Sequence, residues 1–253
     1  MNSLGIRCIF HGNLAELLPK KFKDKEVIYP LNRRAAIKDI IESLSIPHTE
    51  VGKIEKDGEQ TTFHHIGIAG EMFHIYPFSS DTPVLRPTIL RPQPFSSISF
   101  MADDTARKLR RNMRMAGLNT AAAPHKQLTE IAISATRKQR ILVSRNRDLL
   151  KCKDVVFGQL VRSGDHVLQL REVFCRYTFA ERPTPFSRCL ECNSVLQDVK
   201  KEEILDQLQS LTRKYYFTFK KCPGCAKIYW HGSHLEKMQR ILDSAELSKP
   251  PAD

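Results

Sequence analysis

The chain has 253 residues, 41% of them hydrophobic, which is enough for two or more domains with real cores and excludes a disordered polymer. Its formal charge of +12 points to an anionic partner, nucleic acid before an acidic membrane surface. No apolar run approaches the roughly 18 residues a membrane helix needs, and the N-terminus lacks the layout of a signal peptide, so a reducing cytoplasm is the expected setting for the thiols.

Residues 1–80 read as one α+β unit. Gly5–Phe10 and Val27-Ile28-Tyr29 are strand candidates. Ile37, Ile40, Ile41 and Leu44 follow the one-face helix rule, and Pro47 stops that helix. Asp57-Gly58 is a turn signal, and Phe73 and Ile75 sit in a last alternating strand. Strand, strand, helix, strands is the order of a ubiquitin-like β-grasp. His48, His64, His65 and His74 have no closed-shell metal spacing and read as surface or partly buried structural histidines.

Residues 81–96 carry Pro83, Pro87, Pro92 and Pro94, so an extended linker is predicted, made basic by Arg86 and Arg91. From 97 to about 182 strands and helices alternate, which implies a parallel sheet. A strand over Ile98–Met101 leads into Asp103 and Asp104. A helix then carries Arg107, Lys108, Arg110, Arg111 and Arg114 around an apolar face of Leu109, Met113 and Ala116, and Gly117 ends it. A second helix covers about 126–138. A buried strand over Arg140–Ser144 is followed by Arg145, Asn146 and Asp148, another strand lies within Val155–Val161, and Asp165 caps a helix to about Tyr177. Ligands of such sheets bind beyond the carboxyl ends of the strands, where Asp103, Ser144, Arg145 and Asn146 fall. An acid just after a strand can hold Mg²⁺ or Mn²⁺ against a phosphodiester. Asp103-Asp104 can equally be a helix cap with a favourable first-turn acid.

Residues 183–245 hold the most legible chemistry. Cys189-x-x-Cys192 and Cys222-x-x-Cys225 can close a tetrahedral thiolate shell around a structural Zn²⁺, with disulfides or free core thiols as the alternatives. Cys8, Cys152 and Cys175 have no such partner and read as buried small hydrophobes. Tyr215, Tyr216, Phe217, Phe219, Tyr229 and Trp230 interleave with Lys220, Lys221, Lys227, His231 and His234. That suits base stacking with phosphate neutralisation, or a small core around the metal built on Tyr216 or Phe217, Phe219 and Ile228. A spacer helix with Ile204, Leu205, Leu208 and Leu211 on one face should pack on the module. Residues 246–253 read as a frayed tail.

His11-Gly-Asn-Leu14, the run from Ile41 to Val51 and the run from Gly70 to Pro77 resemble the ubiquitin-like N-terminal module of bacterial proteins of the Mut-seven C-terminal family, with Ser45 where that family often has Gly. There is no Gly-Gly tail after the module, so a docking or stabilising role is expected of it rather than a carrier role. Phe100-Met-Ala-Asp103, Leu109-Arg-Arg111, Arg114, Gly117, the run from Arg140 to Arg145, Leu149-Leu150 and Gln169-Leu170 resemble that family's PIN-like ribonuclease domain. Arg188-Cys-Leu-Glu-Cys-Asn193 and Ile228-Tyr-Trp-His-Gly-Ser-His234 resemble its zinc segment.

The resemblance implies a PIN fold whose clustered acids bind Mg²⁺ or Mn²⁺ and cut RNA. Asp103 matches the first acid, His125 stands at the second position and Asn146 at the third. Arg107 and Asn112 replace the family's Gly and Trp, and Asp104, Glu130 and Asp148 are the acids near enough in sequence to compensate. The expected function is RNA binding through Arg107, Arg110, Arg111, Arg114, Arg145, Lys227 and Trp230, with a metal-dependent ribonuclease site that is partly degenerate. The competing functions are a non-catalytic RNA-binding or ribonucleoprotein-docking factor, or a protein-interaction adaptor working through the ubiquitin-like module.

Overall fold

The computed structural model describes residues 5–22, 26–31, 33–230, 232 and 239–243. His231, His234 and the 246–253 tail lie outside the described residues. The chain divides into two compact units, one of Met1–Thr105 with Ala123–Val161 and one of Ala106–Ala122 with Arg162–Asp253.

The first unit begins with a β-grasp. Strand β1 (Gly5–Phe10) buries Ile6, Cys8 and Phe10 at alternate positions, the period of a strand with one face on a core. Burial pushes the Cys8 thiol up to about 12, so it stays a neutral packing group. β2 (Glu26–Pro30) pairs antiparallel with β1. Helix α1 (Ile37–Ser43) lays Ile37, Ile40 and Ile41 on that core. β3 (Val51–Lys56), β4 (Glu59–Gln60) and β5 (Met72–Pro77) complete the sheet in the order β2-β1-β5-β3-β4, with β5 parallel to β1. Ser45, just past α1, has φ +69°, the left-handed region that favours glycine.

The first unit continues with β6 (Phe100–Ala102). Helix α2 (Arg107–Met115) and the short strand β7 (Thr120–Ala122) follow in sequence but belong to the second unit. The chain returns with α3 (Leu128–Arg137), β8 (Ile141–Ser144), α4 (Arg147–Lys151) and β9 (Gly158–Leu160). β6, β8 and β9 are neighbouring parallel strands, and all their residues are buried, as parallel sheets require. Asp103 and Arg145 follow the carboxyl ends of β6 and β8 directly.

One apolar core runs from the β-grasp into this sheet. Ile6, Phe10, Ile41 and Phe73 share it with Met101, Leu142, Leu149, Val155 and Leu160. Polar seams reinforce the junction. The buried His48 ring meets Glu42 Oε1 at 2.6 Å and the Val155 carbonyl at 2.7 Å. Glu50 Oε1 accepts the Leu160 backbone N–H at 2.8 Å, and Arg147 donates to the carbonyls of Leu17 and Ser45. The proline-rich segment also contributes: Leu90 packs against this core, Val84 and Phe95 are buried, and the Phe95 ring meets that of Phe157. Arg91 does not stand in solvent as a basic residue of an extended linker would. It is 2% exposed, donates to the carbonyls of Val156 and His48, and lies near the rings of Phe63, Phe78 and Phe157. A planar guanidinium on an apolar stem can satisfy carbonyls and aromatic faces together, which is why it tolerates this position. His48 likewise corrects the expectation that the module's histidines stay at least partly exposed: at 4% exposure it is buried.

The second unit holds α2, β7 and α5 (His166–Arg176), the last capped by Asp165, whose Oδ1 accepts the N–H groups of Val167 and Leu168. A small antiparallel sheet follows, β10 (Gln197–Val199), β11 (Phe219–Lys221) and β12 (Ile228–Trp230), in that order. The predicted spacer helix is broken. Residues 201–207 form a 3-10 turn, Leu208 is extended, and α6 (Ser210–Tyr215) starts afresh. Ile204 and Leu208 pack on Phe219, while the break turns Leu211 outward to 72% exposure. Cys152, in the first unit, and Cys175 are half-buried rather than core residues.

Candidate functional site

The strand ends of the first unit carry a compact polar network centred on Asp103, which is 8% exposed. Thr105 Oγ1 donates to Asp103 Oδ1 at 2.6 Å, and Ser144 Oγ donates to Asp103 Oδ2 at 2.8 Å. Each hydroxyl in turn accepts a backbone N–H, Thr105 from Arg145 and Ser144 from Asn146, both at 2.9 Å. The network follows from topology: β6 and β8 are adjacent and parallel, so the residues leaving their carboxyl ends meet. Asp103, Ser144, Arg145 and Asn146 are thus gathered as expected. Thr105 was not foreseen. Its signal is the spacing Asp-x-Thr after a buried strand, which lets a hydroxyl fold back on the carboxylate.

Asn146 joins that network only through its backbone N–H, while its side-chain oxygen caps α4, accepting the N–H groups of Asp148 and Leu149. The remaining predicted residues of this edge are placed differently. His125 Nδ1 lies 3.1 Å from Asp104 Oδ2, with both side chains largely exposed. Asp148 is exposed and sits at 4.0 Å from Lys151 Nζ, and Glu130 lies 3.4 Å from Lys126 Nζ. Among the described residues, these acids and His125 form no group of three or more close enough to hold one ion.

The basic helix belongs to the second unit. Arg107 and Arg111 are exposed and Arg110 is half-buried. Arg114 must be separated from them, because it is 3% exposed and faces inward. Its guanidinium donates to the carbonyls of Thr120, Leu190 and Glu191 at 2.8, 2.9 and 2.6 Å. Asn112 is also buried, its amide donating to the His166 carbonyl.

The four cysteines of the second unit converge. The Sγ atoms of Cys189, Cys192, Cys222 and Cys225 all lie within 4.8 Å of one another. Cys192 and Cys222 sulfurs are 3.2 Å apart and those of Cys189 and Cys225 3.5 Å, contacts too long for disulfides. Metal–sulfur bonds of about 2.3 Å place tetrahedral sulfurs roughly 3.8 Å apart, so the cluster fits one ion with a small adjustment.

Both cysteine pairs are built alike. Cys189 N–H donates to Ser194 O while Asn193 N–H donates to Cys189 O, and Cys222, Lys227 and Ala226 repeat the pattern. In each turn the residue after the second cysteine is left-handed, Asn193 at φ +73° and Ala226 at φ +60°. Burial raises the Cys192 thiol, but hydrogen bonds with Ser194, Cys222 and Cys189 outweigh it and hold it at about 6. The Lys227 backbone favours a thiolate at Cys225, yet that group is pushed up to about 12, chiefly by its cysteine neighbours and by burial. Four sulfurs this close cannot all ionise without a cation among them.

The residues flanking the first pair fasten it to the end of α2. Arg188 donates to the carbonyls of Gly117 and Asn193, and the Asn193 side chain bonds both the Thr120 N–H and the Asn119 amide. Gly117, at φ +89°, has no room for a β-carbon, which would lie 2.2 Å from the Thr184 carbonyl oxygen. Tyr229 turns its hydroxyl inward, 3.2 Å from Cys189 Sγ and accepting the Leu190 N–H, so this ring supports the cysteine cluster. Lys227 is exposed but paired with Glu191 at 2.9 Å, and Trp230 is 39% exposed.

These features agree with two family models. The Mut7-C RNAse domain matches residues 98–242, more than half of the 253-residue chain, and the Mut7-C ubiquitin domain matches residues 4–82. No curated protein and no solved structure matches the chain. With the β-grasp, the parallel sheet and the four-cysteine cluster all present, the chain belongs to the Mut7-C RNase domain family and carries the family's ubiquitin-like domain ahead of it.

Proposed function

We propose that this protein binds RNA and is a PIN-like member of its family in which metal-dependent cleavage is weakened. Support for binding comes from the +12 charge, the exposed Arg107 and Arg111 of α2, and an RNase-family match. The observation that carries the weakened catalysis is the use already made of the donors at the strand ends. Asp103 offers one carboxylate whose two oxygens accept the hydroxyls of Thr105 and Ser144. The only oxygen of the Asn146 side chain is spent on capping α4. A pair of hard divalent cations needs several anionic oxygens, and these residues do not fit one, so no hydrolytic step is assigned to them.

The cysteine cluster, by contrast, suits a structural Zn²⁺. Four thiol ligands with soft donor atoms and no open position match that ion's preference. The zinc would hold the 188–193 turn and, through Arg114 and Arg188, the end of the basic helix.

The test is cleavage and binding of a mixed pool of structured and single-stranded RNA, with Mn²⁺ or Mg²⁺, by the protein and its Asp103→Ala variant. Binding by both that weakens steeply with added salt, and no cutting above that of the variant, is expected. Efficient cutting that vanishes in Asp103→Ala would overturn the weakened-catalysis reading. Affinity independent of salt would overturn RNA binding through phosphates. Capture of a protein by the intact chain without any RNA affinity would favour the adaptor role of the ubiquitin-like module.

A further inference from the structure

The second unit leaves a group of aromatic side chains outside its small core. Phe219 is 1% exposed and packs with Ile204 and Leu208, against which Tyr216 and Ile228 lie half-buried. With Val199 those five side chains complete the apolar cluster of the small sheet. Phe217 remains 75% exposed, Tyr215 61% and Leu211 72%. Leu211 and Tyr215 are four apart on α6 and so share one exposed helical face. Single exposed apolar residues are ordinary, but three within seven residues, on a chain this charged, are a surface built to be covered.

What surrounds the two rings decides what covers them. Lys201 Nζ lies 4.1 Å from the centre of the Phe217 ring, and Lys214 Nζ lies 5.3 Å from that of Tyr215. Each ring therefore travels with its own ammonium group. A base needs a π-face and its phosphate needs a cation, and each pair supplies both within the span of one nucleotide. The two rings are only two residues apart in the chain, so neighbouring nucleotides can use them in turn. An apolar protein partner would be served worse, because docking would bury two ammonium groups without partners.

We propose that Phe217 with Lys201, and Tyr215 with Lys214, form a stacking platform for unpaired bases of single-stranded RNA. This deepens the RNA-binding reading and rests on it. The platform selects single strands because the bases of a duplex keep their faces stacked on one another and present only edges and backbone. It is separate from the arginines of α2, which meet phosphates and have no means to tell paired from unpaired RNA.

The experiment compares the full-length protein with a Tyr215→Leu/Phe217→Leu double variant, using fluorescence anisotropy of a short labelled RNA, unpaired or annealed to its complement. Leucine keeps the apolar surface and removes the ring, and both sites are exposed, so the thermal midpoint should not move. The expected result is a loss of about tenfold or more in affinity for the unpaired strand, in line with the value of base–aromatic stacking, and little change for the duplex. Equal affinity of variant and wild type for the unpaired strand would overturn the platform while leaving RNA binding intact. Equal losses on both RNAs would overturn it too, by assigning the rings to something other than stacking. If the wild-type protein binds neither RNA, the platform and the reading beneath it fall together.

Discussion

Arg114 donates to the backbone carbonyl of Glu191 at 2.6 Å, joining the basic helix to the first cysteine turn. The same guanidinium also holds the Leu190 and Thr120 carbonyls, so its positive charge is consumed inside the second unit. Arg114→Ala would strand buried carbonyls, each worth about 1–3 kcal/mol when unsatisfied. A stability loss on the order of 3 kcal/mol is therefore expected, read as a drop in urea midpoint. Arg111→Ala should leave that midpoint unchanged and instead reduce the slope of log affinity against log salt by about one contact. A stable Arg114→Ala protein with a reduced salt slope would put Arg114 back among the phosphate contacts.

Metal removal should act on the second unit. A structural zinc contributes about 10–16 kcal/mol of apparent folding free energy, so chelation should speed hydrogen exchange across residues 188–230. Metal analysis should find close to one zinc per chain, lost in Cys222→Ser. Tyr229→Phe removes the hydroxyl beside Cys189 while keeping the ring. Support of this kind is worth roughly 10–100-fold in metal affinity, measured by competition with a chromophoric chelator. A melting midpoint indifferent to chelation would count against any structural metal.

Asn146→Asp tests the weakened site from the opposite side. Aspartate caps a helix about as well as asparagine, so α4 should survive, and the change adds a second carboxylate two residues beyond Ser144, which already bonds Asp103. If shortage of anionic oxygen limits catalysis, Mn²⁺-dependent RNA cleavage should rise above wild type, and more so in combination with His125→Asp. Cleavage that stays at background in the double variant, in a protein still folded, would place the defect elsewhere.

Much of this structure is visible as pattern. The one-face spacing of Ile37, Ile40 and Ile41, the cap at Asp165 and the two C-x-x-C turns are local features, and local chemistry dictates them. The meeting of Asp103 with Ser144, and of Ser144 with the Asn146 N–H, follows from parallel topology, itself implied by alternating elements. The arginines were less legible. Arg91 and Arg114 look like solvated charge in a proline-rich segment and on a basic helix, because most of their carbonyl partners lie tens of residues away in sequence. The break after Gln207 was hidden for a similar reason: Ile204, Leu208 and Leu211 keep helical spacing, and only Leu208 turning extended throws Leu211 outward.

The continuity of core between the β-grasp and the sheet carries the last prediction. Leu160 of the sheet and Val155 in the loop before its strand share an apolar cluster with Ile41 and Phe73 of the module, and Leu160 donates to the 2%-exposed Glu50. Removing residues 1–80 would expose that apolar surface and leave the Leu160 N–H without its carboxylate. The remaining fragment should therefore be loosely packed, binding a hydrophobic dye and lacking a cooperative thermal transition. A milder probe keeps the chain whole. Glu50→Ala removes one buried acceptor and should cost about 1–3 kcal/mol, read from urea unfolding. Ser45→Gly should move stability the other way by about 0.5–1 kcal/mol, because the left-handed φ of +69° is strained for serine and free for glycine. A fragment lacking residues 1–80 that unfolds cooperatively near the full-length midpoint would show the module to be dispensable for folding. Its role would then have to be sought in what its own surface binds.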